Sequence, residues 1–577
     1  MYDEALVVEC LNEIREATLN IWGAKARLEN GPLKDLNLLS VQMPLPVFCH
    51  SVWKLSSKVN DPQIYERPLG LIESGFYWDT ICCRTADVLA YSEIQVLRED
   101  LQSIISIEKV ENTWLSLKAQ FPLLGARIED RKELDLHFVV CSDRLHTCSS
   151  NEISFLEVSS REEVTLFADK VLSSKDGEHL LSNDLLGRVF ILVEKGSSNR
   201  YYFIFLVAHA ITDGIANRTI LRTFMENIVS DVSAELISFN LPSQLALAVS
   251  SDDLEPGRRV GISKQRWRKA VGLIIGSRRI MENLKNCRAN GVTFGSAYYI
   301  VGQVAMARVL VRRYLRGQMG EEEWQFRQRE PMISTGPLNL RPYLDKSWVE
   351  AGGFQHVCVC LAFYFVFIAF LPLGQARNLR PGMDEPPIGA LLSKDRFFLR
   401  AKSARRQGSW LIEHPLFTDI ARSAARNPKM LNVNTAPSQP LLTVELSVVK
   451  QAASSIVFTS IGSSLGNMDH LLPREYPATT GADSSKGIKL RLVEDLFRAR
   501  ARPAELYLGA QTKGGELRFH ANFDANVYKE SLVVEWLNEI REATIFYLGG
   551  ESRGQASSTR STIKWWKCIR HTHLSGT

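Results

Sequence analysis

Hydrophobic and polar residues follow two rhythms along this chain. Short β-branched or aromatic runs bounded by polar or glycine-containing segments predict strands: LHFVV (136–140), RVFILVE (188–194) and YYFIFLVAH (201–209). Residues 84–118 read as helix-rich, and TWLSLKAQFPLLGARIED (113–130) reads as an amphipathic helix that meets Pro122 and passes into a strand. After Gly214, the spacing of Ile220, Leu221, Phe224 and Ile228 is helical. Residues 229–262 carry Ser, Asp, Pro and Gly with weak periodicity, which predicts a connection between two lobes. Beyond it, helices are expected over 268–291, closed by Asn290-Gly291, and over 292–314, opening near Thr293. Strand-like runs follow at 332–336, 357–371, 441–448, 455–460, 504–510 and 517–523, and 528–547 reads as a closing helix. The texture is mixed α/β.

One pattern occurs twice. YDEALVVECLNEIREAT (2–18) matches YKESLVVEWLNEIREAT (528–544) at 14 of 17 positions, both copies reading as the same amphipathic helix. A solenoid would repeat its period many times, and this chain shows it once. Residues 1–45 therefore read as the closing helix and tail of a preceding copy of the domain, from a tandem duplication or a gene fusion. The domain itself divides into a first lobe (60–230), a connection (231–262) and a second lobe (263–550), with 551–577 as an unstructured tail.

Composition narrows the function classes. Of 577 residues, 45% are hydrophobic and 23% charged, which is globular, and the formal net charge is +5. That balance argues against a dedicated nucleic-acid binder. The ten cysteines show no paired zinc-ligand spacing, so no metal site is expected. The amino terminus is acidic and amphipathic where a signal peptide would be basic and then apolar, which points to the cytoplasm. Val357–Leu373 is 17 residues without a charge, but its Val, Phe, Cys and Tyr content fits buried strands better than a membrane span.

The chemistry-bearing segment is His209-Ala-Ile-Thr-Asp213-Gly214, directly after the apolar run 201–208. A His at the carboxyl end of a buried strand is held rigidly with one ring nitrogen toward a cavity, which suits a general base. Asp213 lies where the chain turns into a helix, and Gly214 eases that turn. A core histidine and an ordinary Asp-Gly turn are the bland alternatives.

Together with ENTWLSLKAQFPLLGARIED (111–130), CRANGVTFGSA (287–297), STGPLNLRPYL (334–344), SSLGNMDHLLP (463–473) and LRFHANFDANVY (517–528), this segment resembles the coenzyme-A-dependent acyltransferase superfamily. That group includes chloramphenicol acetyltransferase, fungal alcohol acetyltransferases, plant BAHD enzymes and condensation domains. The resemblance covers about residues 60–550 in family order. It implies two chloramphenicol-acetyltransferase-like lobes, each a mixed sheet flanked by helices, with a tunnel between them. His209 matches the catalytic base, Asp213 a residue that pairs with an arginine outside the tunnel, and Arg341 that arginine. Ser464, Gly466 and Asn467 are candidates for the oxyanion or tunnel wall. Ala208 stands where condensation domains usually have a second His, and the DFGWG motif of plant enzymes is missing, which favours the fungal alcohol acetyltransferase side.

The expected reaction is transfer of an acyl group, acetyl first, from acyl-CoA as co-substrate to a hydroxyl of a small alcohol or secondary metabolite. No permanently bound cofactor is implied, and the partners are small molecules acting on a monomer. Two alternatives remain open: transfer from a carrier-protein thioester, and a non-catalytic relative that only binds ligand. The cationic stretch Arg396, Arg400, Lys402, Arg405 and Arg406 reads as a solvated helix face rather than a phosphate site.

Overall fold

A computed structural model describes residues 52–56, 62–254, 287–413, 458–549, 564–565 and 569–571, less short gaps at 84–86, 98–104, 132–134, 174–179, 198, 231–238, 478–488, 501–504, 515 and 526. The amino-terminal copy of the repeated helix, the strand expected at 441–448 and most of the helix expected at 268–291 lie outside the described residues. In chain order the first elements are β1 (Lys54–Leu55), β2 (Ile64–Pro68), α1 (Leu71–Cys83), β3 (Asp87–Val96), α2 (Ile107–Gln120), β4 (Arg127–Asp130) and β5 (Leu136–Cys141). Then come β6 (Ile153–Val158), α3 (Arg161–Ser173), β7 (Gly187–Glu194), β8 (Arg200–Ala208) and α4 (Gly214–Val229). The later part holds α5 (Phe294–Leu315), β9 (Met332–Asn339), β10 (Leu361–Ile368), α6 (Lys394–Glu413), β11 (Phe458–Asn467), β12 (Glu475–Tyr476) and β13 (Leu490–Ala499). It closes with β14 (Leu506–Lys513), β15 (Glu516–Asp524), α7 (Glu530–Leu548), β16 (Lys564–Trp565) and β17 (Ile569–His571).

These elements form an α/β fold with two large mixed sheets and a small antiparallel one, β1-β2-β5-β4. The first large sheet has the order β12-β13-β3-β8-β7-β6, antiparallel except for the parallel β6–β7 pair. Its central strand β8 is apolar on both faces, Tyr201 to Val207 all being buried, because helices and the second lobe cover both sides. The second sheet has the order β10-β9-β11-β14-β15-β16, and β11 runs parallel to both neighbours. Under its outer face lie α5 and α7. Thr293 caps α5 by accepting from the Ser296 N–H, and sixteen of the 22 residues of that helix are buried. This is the one helix among the described residues long and apolar enough to cross a membrane, and 78% of its apolar window is buried inside the protein.

Four expectations are corrected. Asp87–Val96 is a strand, not helix: DVLAYSEIQV is fixed by pairing on both sides, with β8 and with β13. Residues 475–499, grouped by sequence with the second lobe, add β12 and β13 to the first sheet, so the chain crosses back between lobes. The tail expected to be unstructured supplies β16 and β17, which pair parallel with β15 and satisfy backbone groups on its edge. Of the apolar run 357–373, only Leu361–Ile368 is strand; Val357 to Cys360 form a buried irregular segment in the first lobe's core.

Candidate active site

β8 delivers His209 to the point where α1, the start of α4 and β10 meet. Its Nδ1 lies 2.7 Å from the Thr212 carbonyl oxygen, across the turn after the strand. A carbonyl only accepts, so Nδ1 carries the proton and donates it, and the neutral ring keeps its lone pair on Nε2. The imidazole stacks on Phe76 of α1, with centroids 3.7 Å apart and planes 7° from parallel. Phe76 in turn meets Phe363 of β10 edge-on at 6.3 Å. Ring plane and tautomer are thus both fixed, which general-base chemistry requires.

Asp213, four residues on, sits in a different environment. One carboxylate oxygen, Oδ1, caps α4 by accepting from the N–H groups of Ile215 (3.0 Å) and Ala216 (2.9 Å). The other, Oδ2, accepts from Arg341 Nη1 at 2.6 Å and from the Cys360 N–H at 2.9 Å. Arg341 also donates to the Cys358 carbonyl at 2.9 Å, and both members of the pair are 0% exposed. Burial pushes the Asp213 carboxyl up, but Arg341 and the N–H groups of Ala216 and Cys360 more than offset this and hold it below the ordinary carboxylate value. With both its oxygens occupied, Asp213 has no free lone pair directed at a substrate; it ties the helix after His209 to the segment 341–360.

Ser464, Gly466 and Asn467 lie at the end of β11, where the register with β14 slips. Gly466 takes φ +73°, a left-handed conformation suited to glycine. The three line a cavity of about 340 Å³ together with Thr293, Phe294, Gly295, Gln511 and Thr512. Leu465 presses on the first turn of α4: a Cβ at Gly214 would stand 2.8 Å from its Cδ2. Leu465 thus brings this segment against the first turn of α4 at Gly214, while His209 is not among the residues that line the cavity. The stretch Arg396–Arg406 lies on α6. Arg396, Lys402, Arg405 and Arg406 are exposed, Arg400 donates to the carbonyls of Ala369 and Phe370, and Arg405 donates to that of Gly291.

Sequence reasoning missed Phe76, Thr212 and the backbone groups of Cys358 and Cys360. It also missed a buried ionic cluster. Arg218, one turn beyond Asp213, pairs with Asp495 of β13 at 2.7 Å and donates to Gln511 of β14 at 3.0 Å. Lys513 of β14 pairs with the same aspartate. Burial, with Arg218 nearby, brings Lys513 down to about 8 despite that carboxylate. Burial together with Arg498 and Arg218 brings His520 down to about 3. The available signal was charge at inward positions of the runs VEDLFR, GAQTK and LRFHAN.

The architecture has a counterpart among solved structures. The trichothecene 15-O-acetyltransferase from Fusarium sporotrichioides superposes with a TM-score of 0.57, over 86% of this chain and 97% of that one, at 13% sequence identity. This chain shares the fold of that acetyltransferase. Condensation domains of the Monacolin K polyketide synthase (TM-score 0.48, 9% identity, 84% of this chain and 97% of that one) and of the CDA synthetase (0.46, 11%, 85% and 97%) are more distant. No family model matches the sequence, and no curated protein matches it. On this fold, His209 directly follows β8, a central strand of the first sheet.

Proposed function

We propose that this protein is an O-acyltransferase that moves an acyl group, acetyl first, from acyl-CoA to a hydroxyl of a small alcohol or secondary metabolite. The observation that carries this reading is the Nδ1–Thr212 carbonyl bond, which leaves Nε2 of a rigidly stacked His209 as a base. The fold supports it, since the Fusarium structure is named for acetylation at an oxygen.

In the proposed step, Nε2 takes the acceptor's hydroxyl proton as that oxygen attacks the thioester carbonyl. The oxyanion of the tetrahedral intermediate needs donors, and the Ser464 hydroxyl, the Gly466 N–H and the Asn467 amide are the candidates on β11. Collapse breaks the carbon–sulfur bond, and the departing thiolate recovers the proton from Nε2. Asp213 and Arg341 act by positioning the turn. The reading takes the protein as a cytoplasmic monomer with soluble small-molecule substrates and no resident cofactor.

The test is release of free CoA thiol from acetyl-CoA across a panel of alcohols. His209→Ala should lower turnover by about 10² to 10⁴ with the circular dichroism spectrum unchanged. Undiminished turnover in that variant would sink the proposal.

A further inference from the structure

The irregular segment ahead of β10 supplies backbone partners to the Asp213–Arg341 pair, and it also carries two sulfurs. Cys358 and Cys360 are both 0% exposed, and their Sγ atoms stand 3.6 Å apart with nothing between them. Residues two apart on an extended chain point the same way, and their Cα atoms lie no more than about 7 Å apart, inside the reach of a disulfide. The pair belongs to no larger ligand set: among the described residues, no three His, Cys, Asp or Glu side chains cluster so as to hold a metal ion.

The two thiols differ in environment. The hydrogen bond between the sulfurs, with the Arg341 guanidinium nearby, lowers the Cys358 thiol against its burial, whereas burial and that same bond raise Cys360. Cys358 is therefore the nucleophile of the pair and Cys360 the resolving thiol. Their backbones serve the site directly. The Cys358 carbonyl accepts from Arg341 at 2.9 Å, and the Cys360 N–H donates to Asp213 Oδ2 at 2.9 Å. The Cys360 carbonyl also accepts from the Leu340 N–H at 2.9 Å, next to Arg341. A disulfide would draw the sulfurs from 3.6 Å to about 2.05 Å, pulling on the two residues whose backbone groups hold Asp213 and Arg341 in place.

We propose that Cys358 and Cys360 form a reversible disulfide that loosens the Asp213–Arg341 pair, with hydrogen peroxide as the oxidant. The Cys358 sulfur attacks one peroxide oxygen; the O–O bond breaks, water leaves with the thiol proton, and a sulfenic acid remains. The Cys360 sulfur then attacks the Cys358 sulfur. The S–O bond breaks as the S–S bond forms, and the Cys360 proton departs with the hydroxyl as a second water. Two thiols lose two electrons and one peroxide gains them. Complete burial restricts the oxidant to a small neutral molecule and makes the reaction slow. Formation of the bridge does not depend on the acyl-transfer reading; only its effect on turnover rests on that reading.

Peptide mass mapping of the folded full chain tests this, after peroxide treatment and alkylation of the remaining thiols. The tryptic peptide 347–377 holds both sulfurs, and most of it should appear unalkylated and two hydrogens lighter, reverting with dithiothreitol. Cys287 is as fully buried and hydrogen-bonds to no sulfur among the described residues, so it should stay a free thiol if the reaction takes place in the folded protein. In the oxidised protein, the Ile215 and Ala216 amides that Asp213 caps should exchange hydrogen severalfold faster, and peroxide-treated Cys360→Ser should show no such change. These readouts stand whether or not the protein transfers acyl groups. Where it does, formation of the acylated alcohol should at least halve on oxidation and recover with dithiothreitol. The proposal is overturned if the peptide keeps both thiols, if Cys358 stops at a sulfinic acid without a bridge, if Cys287 is oxidised as fast, or if the bridge leaves exchange at Ile215 and Ala216 unchanged.

Discussion

Both large sheets are covered on both sides, yet the lobes fill them differently. In the first, the central strands β3 and β8 present Val88, Leu89, Phe203, Phe205 and their neighbours to either face, buried charges stand at Glu93 of β3 and on β13, and His209 opens the turn just past the end of β8. In the second, one face is as apolar as the first sheet, while the other carries Gln511, Lys513, Arg518, His520 and Asn522 in nearly complete burial. The contrast separates two tasks. A close-packed apolar strand holds one reactive ring rigidly, whereas a sheet face lined with buried charge offers an electrostatic environment at a cost in stability that something else must offset.

The largest test of that separation falls on the latch between the lobes. Asp213→Ala leaves Arg341 buried without its counter-charge and removes the cap of α4, and should cost about 3–5 kcal/mol in urea unfolding. Asp213→Asn, which keeps an acceptor for the cap, should cost less. A loss under about 1 kcal/mol in both would mean that the first lobe's site does not depend on its tie to the second. Next in size is Gly214→Ala, whose Cβ would come 2.8 Å from Leu465 Cδ2. Because the obstacle is the end of a leucine side chain, the expected cost is about 1–3 kcal/mol by thermal unfolding, with thiol release falling too as β11 shifts from the His209 turn.

Phe76→Leu addresses the reactive ring alone. Losing a stack of this kind is worth about 0.5–1.5 kcal/mol, so thiol release should fall no more than about tenfold while global stability barely changes. A loss as large as that of His209→Ala would show that Phe76 does more than orient the ring.

The smallest expected effects are pH slopes, and they belong to the second sheet. Unfolded, Lys513 keeps its proton to about 10.5, but folded it releases it near 8, so over that window the unfolded chain binds more protons and stability rises with pH. His520 behaves alike between about 6.5 and 3, and stability falls as the solution is acidified through that range. Unfolding midpoints at pH 7.5 and 10 should differ for wild type and differ less for Lys513→Met. Equal slopes in the two proteins would remove Lys513 from the account.

The same contrast explains which parts of the molecule were legible in the sequence. β8, α5 and α7 obey the rule that apolar positions face the core, and their periodicities gave them away, as did the His209 turn that β8 ends in. β13 went unrecognised because LRLVEDLFRA places Asp495 and Arg498 among its buried positions, which reads as surface until the opposing sheet is known. β3 read as helix because DVLAYSEIQV contains Ser92 and Glu93, which are buried in the strand by pairing 100 or more residues away along the chain. Arg341 was placed by resemblance, but its partners in 358–360 come from an irregular segment with no periodic signature.

β13 also bears on how the protein is made. Its nine registered pairs with β3 close one side of a strand whose residues are almost entirely buried, yet β3 emerges from the ribosome some 400 residues earlier. Until Leu490–Ala499 has been synthesised, the first sheet carries an open, apolar edge, the kind of surface that pairs with other chains. At about 5–20 residues per second, that edge stays unprotected for roughly 20 to 80 seconds, a window in which a chaperone or a neighbouring nascent chain has first access to it.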